Sequence, residues 1–227
     1  MKNDESTLLQ TAKAAERSSD FVAAFDAWQR LASVTNRPDY LCKLGRTAQK
    51  VGRWTEAEGA FLEAIKVDKT FSLAMAFLGS LFLTRTDGDP STNVRTAKTW
   101  LEKVLAIAPS PMSLSLLGEA HDRLGEKEDA REAFRKAIDL DESYAEAYLN
   151  LGLLLADDGQ CEEAERVLRR ATHLNPNSHE AHGRLGILLQ ELGRYSEAEA
   201  ELKRAIEIDP TDAIARSYLD ALPGGAT

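Results

Sequence analysis

The sequence predicts an all-α protein built from stacked helical hairpins, and three observations predict it. Within residues 145–178, Tyr148, Leu151, Gly152 and Leu155 fall at i, i+3, i+4 and i+7, and Ala164, Leu168 and Ala171 at i, i+4 and i+7. Each set is one face of a helix. Polar Asp157-Asp158-Gly159-Gln160 separates the two sets, and Pro176 closes the second, because the residue before a proline is pushed out of the helical region. The unit then recurs. Leu-Gly pairs stand at Leu44-Gly45, Leu78-Gly79, Leu117-Gly118, Leu151-Gly152 and Leu185-Gly186, with glycines 34, 39, 34 and 34 residues apart. Small Gly152 and Ala164 mark a seam where two helices approach closely, so Gly152→Leu is expected to overpack it at a cost of about 1–3 kcal/mol.

The recurring pattern resembles the tetratricopeptide repeat, whose unit carries W-x2-L-G-x2-Y, then A-x3-F, then a proline. The second part reads Ala57-x3-Phe61, Ala130-x3-Phe134, Ala164-x3-Leu168 and Ala198-x3-Leu202. The resemblance covers nearly the whole chain. It implies a right-handed superhelical solenoid of about six helix–turn–helix hairpins plus a C-terminal capping helix, forming one domain over residues 1–227.

The units follow in order. Residues 5–37 read as a degenerate first repeat, with Leu8, Ala12 and Ala15 on one helix face and Phe21, Ala24, Trp28 and Leu31 on the next. Its Leu-Gly pair is replaced by Thr11-Ala12, and Ser18-Ser19-Asp20 supplies the turn. Residues 38–71 are a clear repeat opening on Pro38, which the first helical turn tolerates. Residues 72–110 hold a longer turn, Thr86 to Asn93 and on to about residue 96, before the helix resumes with Ala97, Leu101 and Val104. Insertions of this kind map to one edge of a solenoid, and a surface loop lengthens at little thermodynamic cost. Residues 111–144, 145–178 and 179–212 complete the array. Residues 212–222 read as a capping helix with Asp212 as its N-cap, covering the last apolar face. Pro223-Gly224-Gly225 ends it, and the residues beyond are expected to be disordered.

Composition narrows the function. The 227 residues are 43% hydrophobic and 29% charged, with a formal charge of −9. No apolar run reaches the 18 or so residues of a membrane span, and the polar start Met1-Lys2-Asn3-Asp4 lacks a secretory apolar core. A soluble, cytoplasmic protein is expected. Residues 111–227 hold 13 Lys/Arg against 24 Asp/Glu, which disfavours nucleic acid, since phosphate binding needs cations. Cys42 and Cys161 lie far apart and predict no disulfide framework; Cys161 takes an aromatic position of the repeat and reads as packing.

Catalytic and metal constellations are poor. His173, His179 and His182 are near in sequence, but their helical phases differ and no cysteine completes a zinc spacing. Asp87 and Asp89 match part of a calcium loop whose other ligands are missing. No P-loop, dinucleotide fingerprint or nucleophile elbow is present. Carboxylates on the second helices pair i to i+4, as Glu132 can with Lys136 and Glu165 with Arg169. No enzyme activity, cofactor or metal is expected.

The resemblance implies that first helices line a concave groove through positions 2, 5, 6, 9, 12 and 13 of each unit. Here those positions give Lys13, Arg17, Lys43, Arg46 and Lys50 in the first two units, Leu73, Phe77, Leu83, Met112 and Leu116 in the middle, and Asn150, Asp157, Arg184, Ile187, Gln190 and Glu191 beyond. The groove is expected to be basic, then apolar, then mixed. The chaperone-binding carboxylate clamp of some family members fits poorly: Asn150 and Arg184 match, but Ser115, Glu119 and Glu180 stand where lysines and an asparagine belong. Two carboxylates there would repel the client. The sequence thus points to an adaptor or assembly factor holding a peptide or helix of another protein, acidic at the basic end. The alternative is a scaffold that self-associates by array-to-array contacts.

Overall fold

A computed structural model describes residues 2–223, with the side chains of residues 2–4 left aside. The expectation for the segment after Pro223 lies outside the described residues. The described residues form thirteen α-helices and no strands. They are α1 (Lys2–Arg17), α2 (Phe21–Thr35), α3 (Pro38–Lys50), α4 (Trp54–Val67), α5 (Ser72–Thr84), α6 (Pro90–Ile107) and α7 (Pro111–Arg123), then α8 (Lys127–Leu140), α9 (Ala145–Asp157), α10 (Cys161–Leu174), α11 (His179–Glu191), α12 (Tyr195–Ile208) and α13 (Ala213–Asp220). The chain divides into two compact units, Met1–Leu124 and Gly125–Thr227. In each, consecutive helices pack in pairs, as in a helical-repeat solenoid.

Short turns make the hairpins. Gly159 and Gly193 each sit at φ 74°, a left-handed conformation that glycine adopts without steric cost. The first hairpin has Ser19 at φ 58° in the corresponding place, consistent with its degenerate sequence. Pro38, Pro90 and Pro111 open their helices at the first turn.

The seam residues explain the Leu-Gly recurrence. A Cβ on Gly152 would lie 2.7 Å from Leu168 Cγ and Cδ2, and one on Gly186 would lie 2.7 Å from Leu202 Cγ. The same holds for Gly79 against Leu101 and, at 2.5 Å, for Gly45 against the Phe61 ring. The close partner of Gly152 is therefore Leu168 on α10, a bulky side chain seated in the space the glycine leaves. Ala164, fully buried, serves the neighbouring core.

The 72–110 unit differs from its sequence reading. Helix α6 begins at Pro90, so the turn is residues 85–89 and the extra chain lengthens the helix to 18 residues, against 14 in α4, α8, α10 and α12. Asp89 caps it, accepting from Thr92 N at 2.7 Å. Buried Asn93 donates to the Asp87 carbonyl at 2.8 Å, and Arg85 forks onto Asp87 at 2.7 Å while reaching Glu58 at 2.9 Å. These bonds tie the turn down.

Within unit 2, ion pairs join neighbouring hairpins. Asp158 meets Lys127 and, at 2.7 Å, Arg131. Glu165 pairs with Arg169 at 2.9 Å and Arg194 at 2.6 Å, and Glu197 closes a ring with the same two arginines, both at 2.7 Å. The i to i+4 pair Glu132–Lys136 is made at 2.6 Å. Exposed pairs of this kind contribute about 0–1 kcal/mol each. Helix α13 is capped by Asp212, which accepts from Ala215 N at 2.9 Å, and Ala215 of this helix and Leu222 just beyond it are buried in the unit 2 core.

Candidate clefts on the first-helix faces

The inner face of each unit follows from which helices touch. In unit 1, α3 meets α5 and α5 meets α7; in unit 2, α9 meets α11 and α11 meets α13. Among the described residues, the second helices of successive hairpins make no such approach. First helices therefore crowd the inside of each unit.

Helices α1 and α3 do not touch in this way, and a cleft of about 270 Å³ lies between them. Lys43, Arg46 and Lys50 line it from α3, with Glu16 from α1 and Phe21 below the turn. The spacing i, i+3, i+7 puts all three cations on one helix face. Lys43 Nζ is 3.5 Å from Glu16 Oε2, and Glu16 also accepts from Trp28 Nε1 at 3.2 Å. Lys50 Nζ lies 4.2 Å from the centre of the Phe21 ring. The Arg46 guanidinium lies 4.9 Å from that of Phe77, whose ring tilts against Phe61 at 5.9 Å. A cation over an aromatic face gains about 0.5–1 kcal/mol when exposed. Both side chains are thereby ordered in advance, although no ion pair holds Arg46 or Lys50 among the described residues.

The other expected groove residues are placed unevenly. Lys13 and Arg17 are exposed on α1 but do not line the cleft. Leu73 is exposed, and Phe77 is half-buried beneath Arg46. Met112 packs against the Met75–Val104 cluster. Leu116 packs against the cluster holding Val94 and Leu101. Leu83 is 4% exposed inside that second cluster, so a partner cannot reach it. Asn150 is half-buried on α9, while Asp157 and Glu191 are exposed.

A second cleft, of about 380 Å³, opens between α11 and α13 in unit 2. Ile187 lines it, with Arg184 and Glu180 at its rim, 4.0 Å apart. Gln190 is half-buried, and its Oε1 has no hydrogen-bond partner. The neighbouring histidines are engaged by carboxylates. His179 Nδ1 is 3.1 Å from Asp212 Oδ2, and His182 Nδ1 is 2.6 Å from Glu201 Oε2. Asp212 is held below the usual carboxylate range: burial pushes it up, but the Ala215 amide and His179 outweigh that.

Sequence reasoning finds the three cations on α3 but not what restrains them. Phe21 reads as a helix-face residue and Glu16 carries no signal of its own, because the α1–α3 gap is invisible in the linear chain. The second cleft has a readable signal: repeat position 5 carries Leu149 in one unit and only Gly183 in the next.

Stacked hairpins with open clefts on their inner helices define a helical-repeat scaffold of the protein-binding class. Comparison agrees. The family described as "Tetratricopeptide repeat" matches residues 149–213, and that described as "TPR repeat" matches residues 118–159. Residues 118–213 of the chain are thus tetratricopeptide repeats. No curated protein sequence matches the chain. Among solved structures, the APC/C hetero-tetramer Cut9-Hcn1 matches with a TM-score of 0.79 and 17% identity over 95% of this chain, which spans 42% of that one. MamA matches at 0.58 and 24% identity, covering 75% of this chain and 96% of that one. YrrB, described as a TPR protein with an unusual peptide-binding site, matches at 0.55 and 20% identity, covering 86% and 98%. These likenesses show the fold. Neither matched family is an enzyme family, and no helix among the described residues is long and apolar enough to cross a membrane.

Proposed function

We propose that this protein is a non-enzymatic adaptor or assembly factor that holds a peptide or helix of a partner protein against its first-helix faces. The α1–α3 cleft receives acidic residues of that partner. One observation carries the reading: Lys43, Arg46 and Lys50 converge on one cleft, and aromatic faces hold two of them in place. Ordering a free lysine or arginine side chain costs up to about 2 kcal/mol, and the aromatic contacts offset part of that cost before the partner arrives. Complementary charge then speeds encounter and fixes register.

The test is a binding titration with a fluorescein-labelled peptide rich in glutamate and aspartate, at low and high salt. Affinity should fall as salt rises, and Arg46→Glu with Lys50→Glu should remove binding. Undiminished binding by the charge-reversed protein would refute the basic cleft as the site. A cytoplasmic location accompanies this reading and is checked by fractionation of the native host.

Charge asymmetry favours a second reading, in which copies of the chain associate. Unit 1 has 16 Lys/Arg against 15 Asp/Glu, and unit 2 has 12 against 22. Basic clefts meeting acidic units would give heterologous contacts that close into rings or extend as filaments. Sedimentation velocity at low salt and high concentration decides it, since a single monomeric species excludes the association.

A further inference from the structure

The α11–α13 cleft is larger than its counterpart one hairpin earlier, about 380 Å³ against about 210 Å³, and it is larger where a side chain is missing. Gly183 forms its floor on α11, where the preceding hairpin has Leu149, buried and 7% exposed. A Cβ built on Gly183 would touch only Ala205 Cβ and Asp212 Oδ2, both at 3.9 Å. That is ordinary contact, unlike the 2.7 Å clashes at the seam glycines. Gly183 is therefore not demanded by helix packing, and the space above it is open to something else.

The walls of this space are Ile187, Ala213, Ile214 and Ala215. Ile214 is 58% exposed, and Tyr218, one helical turn on, is 38% exposed. In repeat register these two occupy the positions held by Glu180 and Arg184 one unit earlier. The last helix thus turns apolar groups toward the inner face where its neighbour carries charge. A volume of about 380 Å³ lies in the range of pockets that hold small ligands or side chains.

The charge around it has the opposite sign to the unit 1 cleft. Glu180 and Asp212 stand at its edge with Arg184. At repeat position 13, where α3 has Lys50, α9 and α11 have exposed Asp157 and Glu191. The unit as a whole has ten more carboxylates than Lys/Arg cations. We infer that the Gly183 pocket binds one aliphatic side chain of a partner segment in which lysine or arginine flanks that side chain. The apolar group fills the vacancy over Gly183, and the flanking cation faces Glu180 and the carboxylates beyond. The inference rests on the adaptor reading for a peptide partner, but it names a second site of different chemistry.

The test is a nitrogen-15 NMR titration of the full chain with short peptides in a serine–glycine frame. Their cores are lysine–leucine–lysine, lysine–alanine–lysine and aspartate–leucine–aspartate. The first should shift the amides of Gly183, Ile187 and Ile214 saturably, with a Kd roughly tenfold or more below the other two at that site. Gly183→Leu should abolish the preference for leucine over alanine without lowering the thermal midpoint. Ile214→Ser, at an exposed position, should weaken binding in a protein that keeps its fold. Equal binding of the leucine and alanine cores overturns the inference. So does a preference surviving in both variants, or no saturable shift at millimolar peptide. Pocket amides that shift on dilution of the chain alone would identify a second copy as the occupant and also overturn it. A glutamate-rich peptide is titrated in parallel. If it shifts Lys43, Arg46 and Lys50 while the basic peptides fail, only this inference falls; if all fail, the adaptor reading falls with it.

Discussion

Two glycine-to-alanine substitutions in unit 1 separate helix propensity from close packing. Gly59 lies exposed in α4, and an added methyl there would meet nothing within 4 Å, whereas Gly79 lies in α5 against α6. At both sites alanine should gain about 0.5–1 kcal/mol from the smaller backbone entropy loss. At Gly59 that gain stands alone, so the variant should be more stable by that amount. At Gly79 the new Cβ would lie 2.7 Å from Leu101 Cγ, 2.8 Å from Cδ2 and 3.3 Å from Cδ1. Leu101 is fully buried among Val94, Ala97 and Leu117, so it cannot swing into solvent. Overpacking of this kind costs about 1–3 kcal/mol, leaving Gly79→Ala less stable by about 0–2 kcal/mol. The difference between the two variants cancels propensity and equals the overpacking itself, about 1–3 kcal/mol. Urea unfolding followed by circular dichroism measures it as a shift in midpoint at constant slope. In a Leu101→Ala background the clash is gone, and Gly79→Ala should then approach the behaviour of Gly59→Ala; the coupling is read from the double-mutant cycle. Equal stabilisation by the two alanines in the native background would refute the seam argument.

Three further outcomes are expected. Asp158 is held below the usual carboxylate range by Lys127, then Arg131; Glu197 by Arg194, then Arg169; and in Glu165 burial pushes up but Arg169 and Arg194 prevail. Folded-state values below the ordinary 3.8 and 4.5 mean that the pairs stabilise unit 2 above those values and that this is lost as pH falls through and below them. Thermal midpoints measured from pH about 6 downward should drop over that window, and less steeply in Glu165→Gln. Asn93→Ala removes the bond to the Asp87 carbonyl and should cost about 1 kcal/mol, with faster hydrogen exchange confined to residues 85–94. Burial pushes the Cys42 thiol up to about 12, so iodoacetamide at mildly alkaline pH should label half-buried Cys161 and spare Cys42, as peptide mapping would show.

The hairpin phase is legible in the sequence because packing leaves it little freedom. Gly45, Gly79, Gly152 and Gly186 recur at positions where a methyl more would strike a buried neighbour, so the repeat is written directly in residue size. The start of α6 is harder to read. Asp89, Pro90, Ser91, Thr92 and Asn93 are all turn formers, and the same residues also make a capped helix opening. What decides between them is the buried Asn93 side chain, a contact that the linear sequence does not display. Repeat position alone sends Leu83 to the groove. In the structure Leu83 instead packs into the cluster formed with Val94, Ala97 and Leu101 of α6, a contact that repeat position does not display. Phe21 has the spacing of a core face and instead supports Lys50 at the edge of the cleft between α1 and α3.

The same contrast separates the residues that make the fold from those free to carry recognition. On α3, α9 and α11 the seam positions hold Gly45, Gly152 and Gly186, each with a bulky partner at under 3 Å from a notional Cβ. None can change without moving that partner. The inward positions that face solvent meet no such limit. Position 13 is Lys50 in one helix and Asp157 or Glu191 in others, and position 5 is Cys42, Leu149 or Gly183, while the helix geometry stays the same. Charge sign at position 13 is therefore set by exposed side chains whose replacement costs the fold little, whereas at position 5 Cys42 and Leu149 are buried in the core and only Gly183 leaves room. Substitutions that alter binding through Lys50 or Gly183 should leave the unfolding midpoint nearly unchanged, whereas substitutions at Gly45 or Gly152 should lower it first and affect binding only through the loss of folded protein.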